Sequence, residues 1–184
     1  MIFRFRHRRL SDADLVADVA QGDERAFAEL LHRHQNAVYA FACRMLQDPQ
    51  EAEDVAQETF LRMYQTSRRY RPTASLRAYL LRITKNICID HFRKKRPELM
   101  DELPDPATLQ TPQDLLEGAV TVKYLEKAID RLPVNQRTAL LLRHTEQLSY
   151  SRIAEVMDVS IGAVESLLVR ARRTLKQRLA DFQE

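Results

Sequence analysis

Four of the seven prolines in this 184-residue chain, Pro97, Pro104, Pro106 and Pro112, fall within a single stretch of 16 residues. Proline lacks a backbone N–H and clashes with the preceding turn, so neither a continuous helix nor a central strand passes through such a stretch. The same segment is acidic and has little apolar periodicity, so it reads as a linker over residues 97–111. It divides the chain into a piece over residues 10–96, preceded by a basic tail over residues 1–9, and a piece over residues 112–184. Each piece has the size of one small domain, which excludes a large multidomain enzyme. Elsewhere helix breakers are scarce, with 3 Gly in the whole chain, and no segment alternates with period two long enough to suggest a sheet. The expected fold class is all-α, with two small helical domains joined by a flexible acidic linker.

Start and stop signals place the helices of the first domain. Ser11 is positioned to cap a short helix that Gly22 ends, and Asp23 to cap a long one in which Phe27, Leu30, Leu31, Val38, Phe41, Met45 and Leu46 recur at helical spacing. Asp48-Pro49 resets the chain for a third helix with the stripe Ala52, Val55, Ala56, Phe60 and Met63. After a loop around Arg71-Pro72-Thr73, Leu76, Leu80, Ile83 and Ile87 mark a fourth helix, with Arg77, Arg82, Lys85, Asn86 and Arg93 expected on its other face.

In the second domain, Thr111-Pro112 starts a helix to about residue 131, a second runs from about 134 to 146 after Pro133, and Ser149 and Ser160 cap a final pair. That pair has the spacing of a helix-turn-helix, with the small Ala154 at the helix crossing and Asp158 at a left-handed turn position. In its second helix Val164, Leu167, Leu168, Ala171 and Leu175 should face inward, leaving Glu165, Ser166, Val169, Arg170 and Arg173 outward, where they could reach base edges and phosphates. A plain helical hairpin is the alternative, since amphipathic pairs with short turns are common without DNA.

The net charge of +3 conceals a strong segregation. Residues 62–96 carry eleven basic groups against Asp90 alone, while residues 1–61 sum to −4 and residues 97–118 to −6. A cationic block that also holds Tyr64, Tyr70, Tyr79 and Phe92 is the footprint of a polyanion partner.

Other chemistries find little support. Cys43 and Cys88 stand 45 positions apart with no C-x-x-C partner, so neither a disulfide framework nor a zinc ribbon is indicated, and each should be a small buried hydrophobe. The acids Asp48, Glu51, Glu53, Asp54 and Glu58 lack an accompanying His and a glycine-bounded calcium loop, so they read as a solvated or partner-facing surface rather than a metal-dependent active site. His32 and His34 point to different helix faces, and His7, His91 and His144 are isolated. No nucleophile motif or phosphate-cradling loop is present, so no catalytic residue, metal or cofactor is expected. The N-terminus lacks the apolar run of a signal peptide and no segment is long and apolar enough to span a bilayer, so a cytoplasmic protein is expected.

Four segments together carry a family resemblance: D-P-Q-E-A-E-D-V-A-Q-E-T-F-L-R-M-Y, L-R-A-Y-L-L-R-I-T-K-N-I-C-I-D-H-F-R-K-K-R, R-L-P-V-N-Q-R-T-A-L-L-L-R and L-S-Y-S-R-I-A-E-V-M-D-V-S-I-G-A-V-E-S-L-L-V-R-A-R. In order and separation they resemble the extracytoplasmic-function sigma factors of the bacterial sigma-70 family, over nearly the whole chain. The resemblance implies a region-two domain at 10–96, a region-four domain at 112–184 and no region-three domain between them. It implies docking on the beta-prime clamp helices of core RNA polymerase through Glu53, Asp54, Gln57, Glu58 and Leu61, with the beta subunit as a further partner. It implies recognition and melting of the promoter minus-ten element by Tyr70, Arg71, Thr73, Ser75, Arg77, Tyr79, Arg82, Lys85, Asn86 and Arg93. Minus-thirty-five recognition falls to Ser151, Arg152, Gly162, Glu165, Ser166, Val169, Arg170 and Arg173. An anti-sigma factor is the implied regulator, and the implied location is the nucleoid, or the membrane surface when that regulator holds the chain there.

The chain departs from the family pattern in two places. Tyr64 and Tyr79 stand where Trp is common, and Gly162 to Leu167 replaces a G-T-V-[KR]-S-R pattern, removing two basic groups from the recognition helix. The rival readings are a helix-turn-helix regulator acting without polymerase, which leaves the basic block of residues 62–96 unexplained, and a sigma-like decoy that binds an anti-sigma factor but no DNA, which leaves its charge unexplained.

Overall fold

The computed structural model describes residue 7 and residues 9–71, 75–95 and 122–180, and every regular element among them is helical. Helices α1 (Asp12–Ala20), α2 (Glu24–Leu46) and α3 (Pro49–Thr66), a 3-10 turn (Ser67–Arg69) and α4 (Leu76–Lys95) come first. They are followed by α5 (Val122–Asp130), α6 (Val134–His144), α7 (Tyr150–Met157) and α8 (Ile161–Ala180). The linker over residues 97–111, the helix start expected at Thr111-Pro112, the loop residue Thr73 and most of the N-terminal tail lie outside the described residues. The chain forms two compact units, Met1–Cys88 and Ile89–Glu184.

Local side-chain chemistry starts the helices. Ser11 forms a reciprocal cap with Asp14, the Asp14 amide donating to Ser11 Oγ at 3.2 Å and the Ser11 amide to Asp14 Oδ2 at 3.3 Å. Gly22, at φ 93, makes the left-handed turn between α1 and α2 that a side chain would oppose. Asp23 Oδ1 accepts from the amides of Arg25 (2.8 Å) and Ala26 (3.1 Å), and these bonds, the Ala26 amide foremost, hold its carboxyl below the usual carboxylate range. The stabilisation from this ionised cap is therefore present above the ordinary Asp pKa and is lost as pH falls through the lowered one. Asp48 Oδ1 accepts from Gln50 (2.9 Å) and Glu51 (3.1 Å), with Pro49 opening α3.

In the first unit one apolar stripe per helix meets in a common core: Leu15, Val16 and Val19 from α1, Ala26, Leu30 and Val38 from α2, Phe60 and Met63 from α3, Leu76 and Leu80 from α4. Two buried threonines interrupt it at no polar cost. Thr59 Oγ1 donates to the Val55 carbonyl (2.8 Å) and lies 3.2 Å from Thr84 Oγ1, which donates to the Leu80 carbonyl (2.9 Å). Arg33 fastens the N-terminal segment onto α2, donating to the carbonyls of His7 (3.0 Å) and Leu10 (2.9 Å), to Asp12 (3.0 Å) and to Glu29 (2.9 Å).

In the second unit Ala128, Leu132, Leu140, Ala171, Leu175 and Leu179 form the apolar cluster, flanked by Ile129. The fully buried Arg137 of α6 lies 3.1 Å from Asp130 Oδ1. The turn between α7 and α8 passes through Asp158 at φ 59, the left-handed position expected from the sequence.

The two thiols differ from expectation in one case. Cys88 is buried, and loss of solvent pushes its thiol up to about 12, whereas Cys43 is half-buried beside Tyr39 on the outer flank of α2. Native protein treated with a thiol-specific disulfide reagent at neutral pH should therefore release one equivalent quickly, from Cys43, and the second only on unfolding. Two equally fast thiols would contradict the burial of Cys88.

Candidate polymerase-binding and nucleic-acid surfaces

The inner stripe of α3 is Ala52, Val55, Thr59, Phe60 and Met63, which leaves Glu53, Asp54 and Gln57 exposed away from it. Glu58 is half-buried and accepts from Arg62 Nε at 2.7 Å. Leu61 is 49% exposed and Tyr64 44%, one helical turn apart on this outer side. Both large apolar side chains lie outside the buried stripe of α3 and are flanked by acids, and such a face suits a protein partner with basic and apolar groups. Tyr64 is held in place by an edge-on contact with Phe27, ring centres 5.4 Å apart.

The second surface centres on Tyr70 and Tyr79, whose rings meet edge-to-face at 5.1 Å, both flanking the apolar core of the first unit. Burial pushes the Tyr70 phenol up. The Tyr79 hydroxyl is 2.8 Å from Thr66 Oγ1, and the Arg82 guanidinium stands 5.8 Å from the Tyr79 ring centre. Tyr79 thus packs against the core and is only partly exposed. Arg71, Ser75, Arg77, Arg82, Asn86 and Arg93 are exposed, and Ser75 Oγ also accepts from the Ala78 amide at 3.3 Å, so it caps α4 as well.

Lys85 departs from the expected outward face, being 7% exposed. The reason is a second buried flank on α4, Leu81, Cys88 and Phe92, whose helical spacing includes position 85. Thr73 lies outside the described residues.

The third surface is the helix-turn-helix. Ser149 Oγ accepts from the Arg152 amide at 3.4 Å and starts α7, where Ser151 is exposed and the half-buried Arg152 pairs with Glu155 at 2.7 Å. Ser160 Oγ accepts from the Ala163 amide at 3.2 Å at the start of α8. Val164, Leu167, Leu168, Ala171 and Leu175 are buried, as their spacing predicted. Gly162 and Arg173 are exposed, while Glu165, Ser166, Val169 and Arg170 are partly so. Arg170 folds back along its own helix, Nε donating to the Ser166 carbonyl at 3.4 Å.

Two features of the molecule were not read from the sequence. Arg143 spans from α6 to the start of α7, stacked at 5.3 Å over Tyr150 and donating to the Leu148 carbonyl at 2.9 Å, and reduced solvation together with Arg172 and Arg143 holds the His144 imidazole below the usual histidine range. His7, Asp18 and Asp23 bring ligand-type atoms within 4.8 Å of one another, although Asp23 is already engaged by the amides of α2 and by His7 Nε2 at 3.0 Å. No i,i+4 signal marks either arrangement, since both depend on contacts between separate elements.

The sigma-70 region 2 family matches residues 30–98, and the sigma-70 region 4 family residues 123–175. The chain is 33% identical to the RNA polymerase sigma-H factor of Pseudomonas aeruginosa, covering 91% of this chain and 93% of that protein. It is 31% identical to the extracytoplasmic-function sigma-E factor of Haemophilus influenzae, covering 93% and 96%. Among solved structures, CnrH in complex with the cytosolic domain of CnrY superposes with a TM-score of 0.70 at 25% identity, covering 92% of this chain and 97% of that one. The sigma factor RpoE of Bartonella quintana, solved with the anti-sigma factor NepR, shares the fold at a TM-score of 0.64 and 24% identity, covering 84% and 96%. Sequence motifs, helical architecture and full-length relatives converge: the chain belongs to the extracytoplasmic-function sigma factors of the sigma-70 family.

Proposed function

We propose that this chain works as an alternative sigma factor whose three surfaces act in sequence: α3 docks on core RNA polymerase, α8 engages upstream promoter DNA, and the aromatic and cationic surface of α4 opens the minus-ten element. The observation that carries this reading is the separation of charge across one helical unit. The outer face of α3 offers Glu53, Asp54 and Leu61, which a polyanion would repel or ignore, while α4 offers Arg77, Arg82 and Asn86 beside a tyrosine pair. Aromatic faces stack unpaired bases, arginines hold the backbone, and a side-chain amide reads a base edge, so the α4 surface suits single-stranded more than duplex DNA. The domain limits 10–96 and 112–184 accompany this assignment, supported by the two family matches.

Regulation comes from a protein that covers these surfaces. The solved complex of CnrH with the cytosolic domain of CnrY supports that inference for this chain. No helix among the described residues is long and apolar enough to cross a membrane, which is compatible with a cytoplasmic site of action.

Reversing charge at Asp54 and Glu58 with Asp54→Lys and Glu58→Lys should weaken capture of core polymerase by at least about tenfold. The helical signature should be retained, since neither side chain belongs to the buried stripe of α3. Undiminished capture by the folded double variant would remove α3 from the interface.

Asn86→Ala should leave closed-complex formation on a cognate promoter intact and reduce the permanganate reactivity of minus-ten thymines, because the lost amide acts on an unpaired base. Wild-type reactivity in the variant would contradict that role.

A further inference from the structure

The first two turns of α8 contain no lysine or arginine between Ser160 and Val169, and their sole charged group is Glu165. This is unusual chemistry for a helix that enters a groove lined by phosphates, where cations ordinarily supply the affinity. Among the described residues Glu165 has no ion pair, and Arg170, five residues further on, is turned onto the Ser166 carbonyl. Ile161, one turn earlier on the same face, is 49% exposed, although Val164, Leu167 and Leu168 beside it are buried. Gly162 leaves open space around the position its Cβ would occupy, so a groove wall can approach the helix start closely. The domain core needs none of Ile161, Gly162 or Glu165, yet the helix holds them together at its leading end.

We infer that Glu165 and Ile161 are specificity-determining residues of this chain, Glu165 accepting a hydrogen bond from a cytosine amino group and Ile161 packing on a thymine methyl group in the upstream promoter element. This rests on the reading of α8 as the upstream promoter helix. In the major groove cytosine N4 presents a donor and thymine C5 an apolar methyl group, and the N-terminal residues of a recognition helix are the ones that reach base edges. A carboxylate in that position meets phosphate repulsion wherever no cytosine compensates it, so it rejects wrong sequences as well as favouring the right one. Four residues of helix advance about 6 Å and one base step about 3.4 Å, so the two preferred bases should lie about two steps apart. The guanine contacts that arginine provides are absent from these two turns, and cations begin at Arg170 to hold the backbone.

The test uses holoenzyme reconstituted from core RNA polymerase and the full chain, selecting from a promoter library randomised across the upstream element at one fixed salt concentration. The wild type should enrich a cytosine with a thymine about two positions away. Glu165→Ala should relax the cytosine preference by about fivefold to 150-fold while keeping the thymine. Glu165→Gln should redirect that position toward adenine, because a side-chain amide pairs with adenine N6 and N7. Ile161→Ala should relax the thymine alone.

Uniformly tighter binding by Glu165→Ala, with an unchanged set of selected sequences, would overturn the inference and leave Glu165 as a repulsive group only. A wild-type holoenzyme that selects no upstream sequence, while still selecting a minus-ten element, would instead overturn the assignment of α8 to promoter reading, and this inference with it.

Discussion

The packing of α2 against α3 is the interaction on which the first unit depends. Leu30 and Val38 from one helix and Phe60 and Met63 from the other are at most 4% exposed, and removing any of them would leave a cavity that neighbouring rigid helices fill poorly. That packing also decides what α3 shows to a partner. With Ala52, Val55, Phe60 and Met63 committed to the interior, Glu53, Asp54, Gln57 and Leu61 have no place but the outer face. The buried threonine pair, Thr59 with Thr84, then ties α3 to α4, and Thr66 at the end of α3 holds the Tyr79 hydroxyl.

Charge placement turns this scaffold into an initiation factor. An acidic helix face and a cationic helix lie within one small unit, so protein and nucleic acid are sorted to different surfaces by electrostatics before any specific contact forms. In the proposed function, affinity for promoter DNA comes chiefly from the cations of α4 and the later turns of α8, whereas sequence information comes from residues that are poor at binding phosphate, Asn86 among them. Tyr79 illustrates how closely stability and function are joined here. Its hydroxyl is fixed by Thr66, its ring packs beside the core, and the Arg82 guanidinium lies over that ring.

Local signals were legible in the sequence because their physics is local. Ser11, Asp23, Asp48 and Ser149 cap the helices they were expected to cap, and Asp158 adopts its left-handed turn, since each needs only backbone groups within a few residues. The inward stripe of α8 followed from periodicity alone. What escaped was long-range. Lys85 is buried because α4 is covered on two flanks, a fact that one-faced amphipathicity does not contain. The Arg33 anchor, the Arg137 contact with Asp130 and the half-exposure of Cys43 arise from elements brought together by folding, with no spacing that announces them. At the candidate sites, α3 is placed as the stripe predicts, while the promoter surface of α4 loses Lys85 from its exposed set and gains Thr66 as a positioning partner.

The central claim is that this chain gives core polymerase a promoter choice that the core lacks. Transcription of a fragmented genomic library by core RNA polymerase, with and without the purified chain, followed by mapping of transcript 5′ ends, tests it directly. The account predicts a new set of defined start sites in the presence of the chain, sharing two sequence elements upstream at fixed separation. Start sites identical to those of core polymerase alone, despite a folded chain bound to it, would contradict the account.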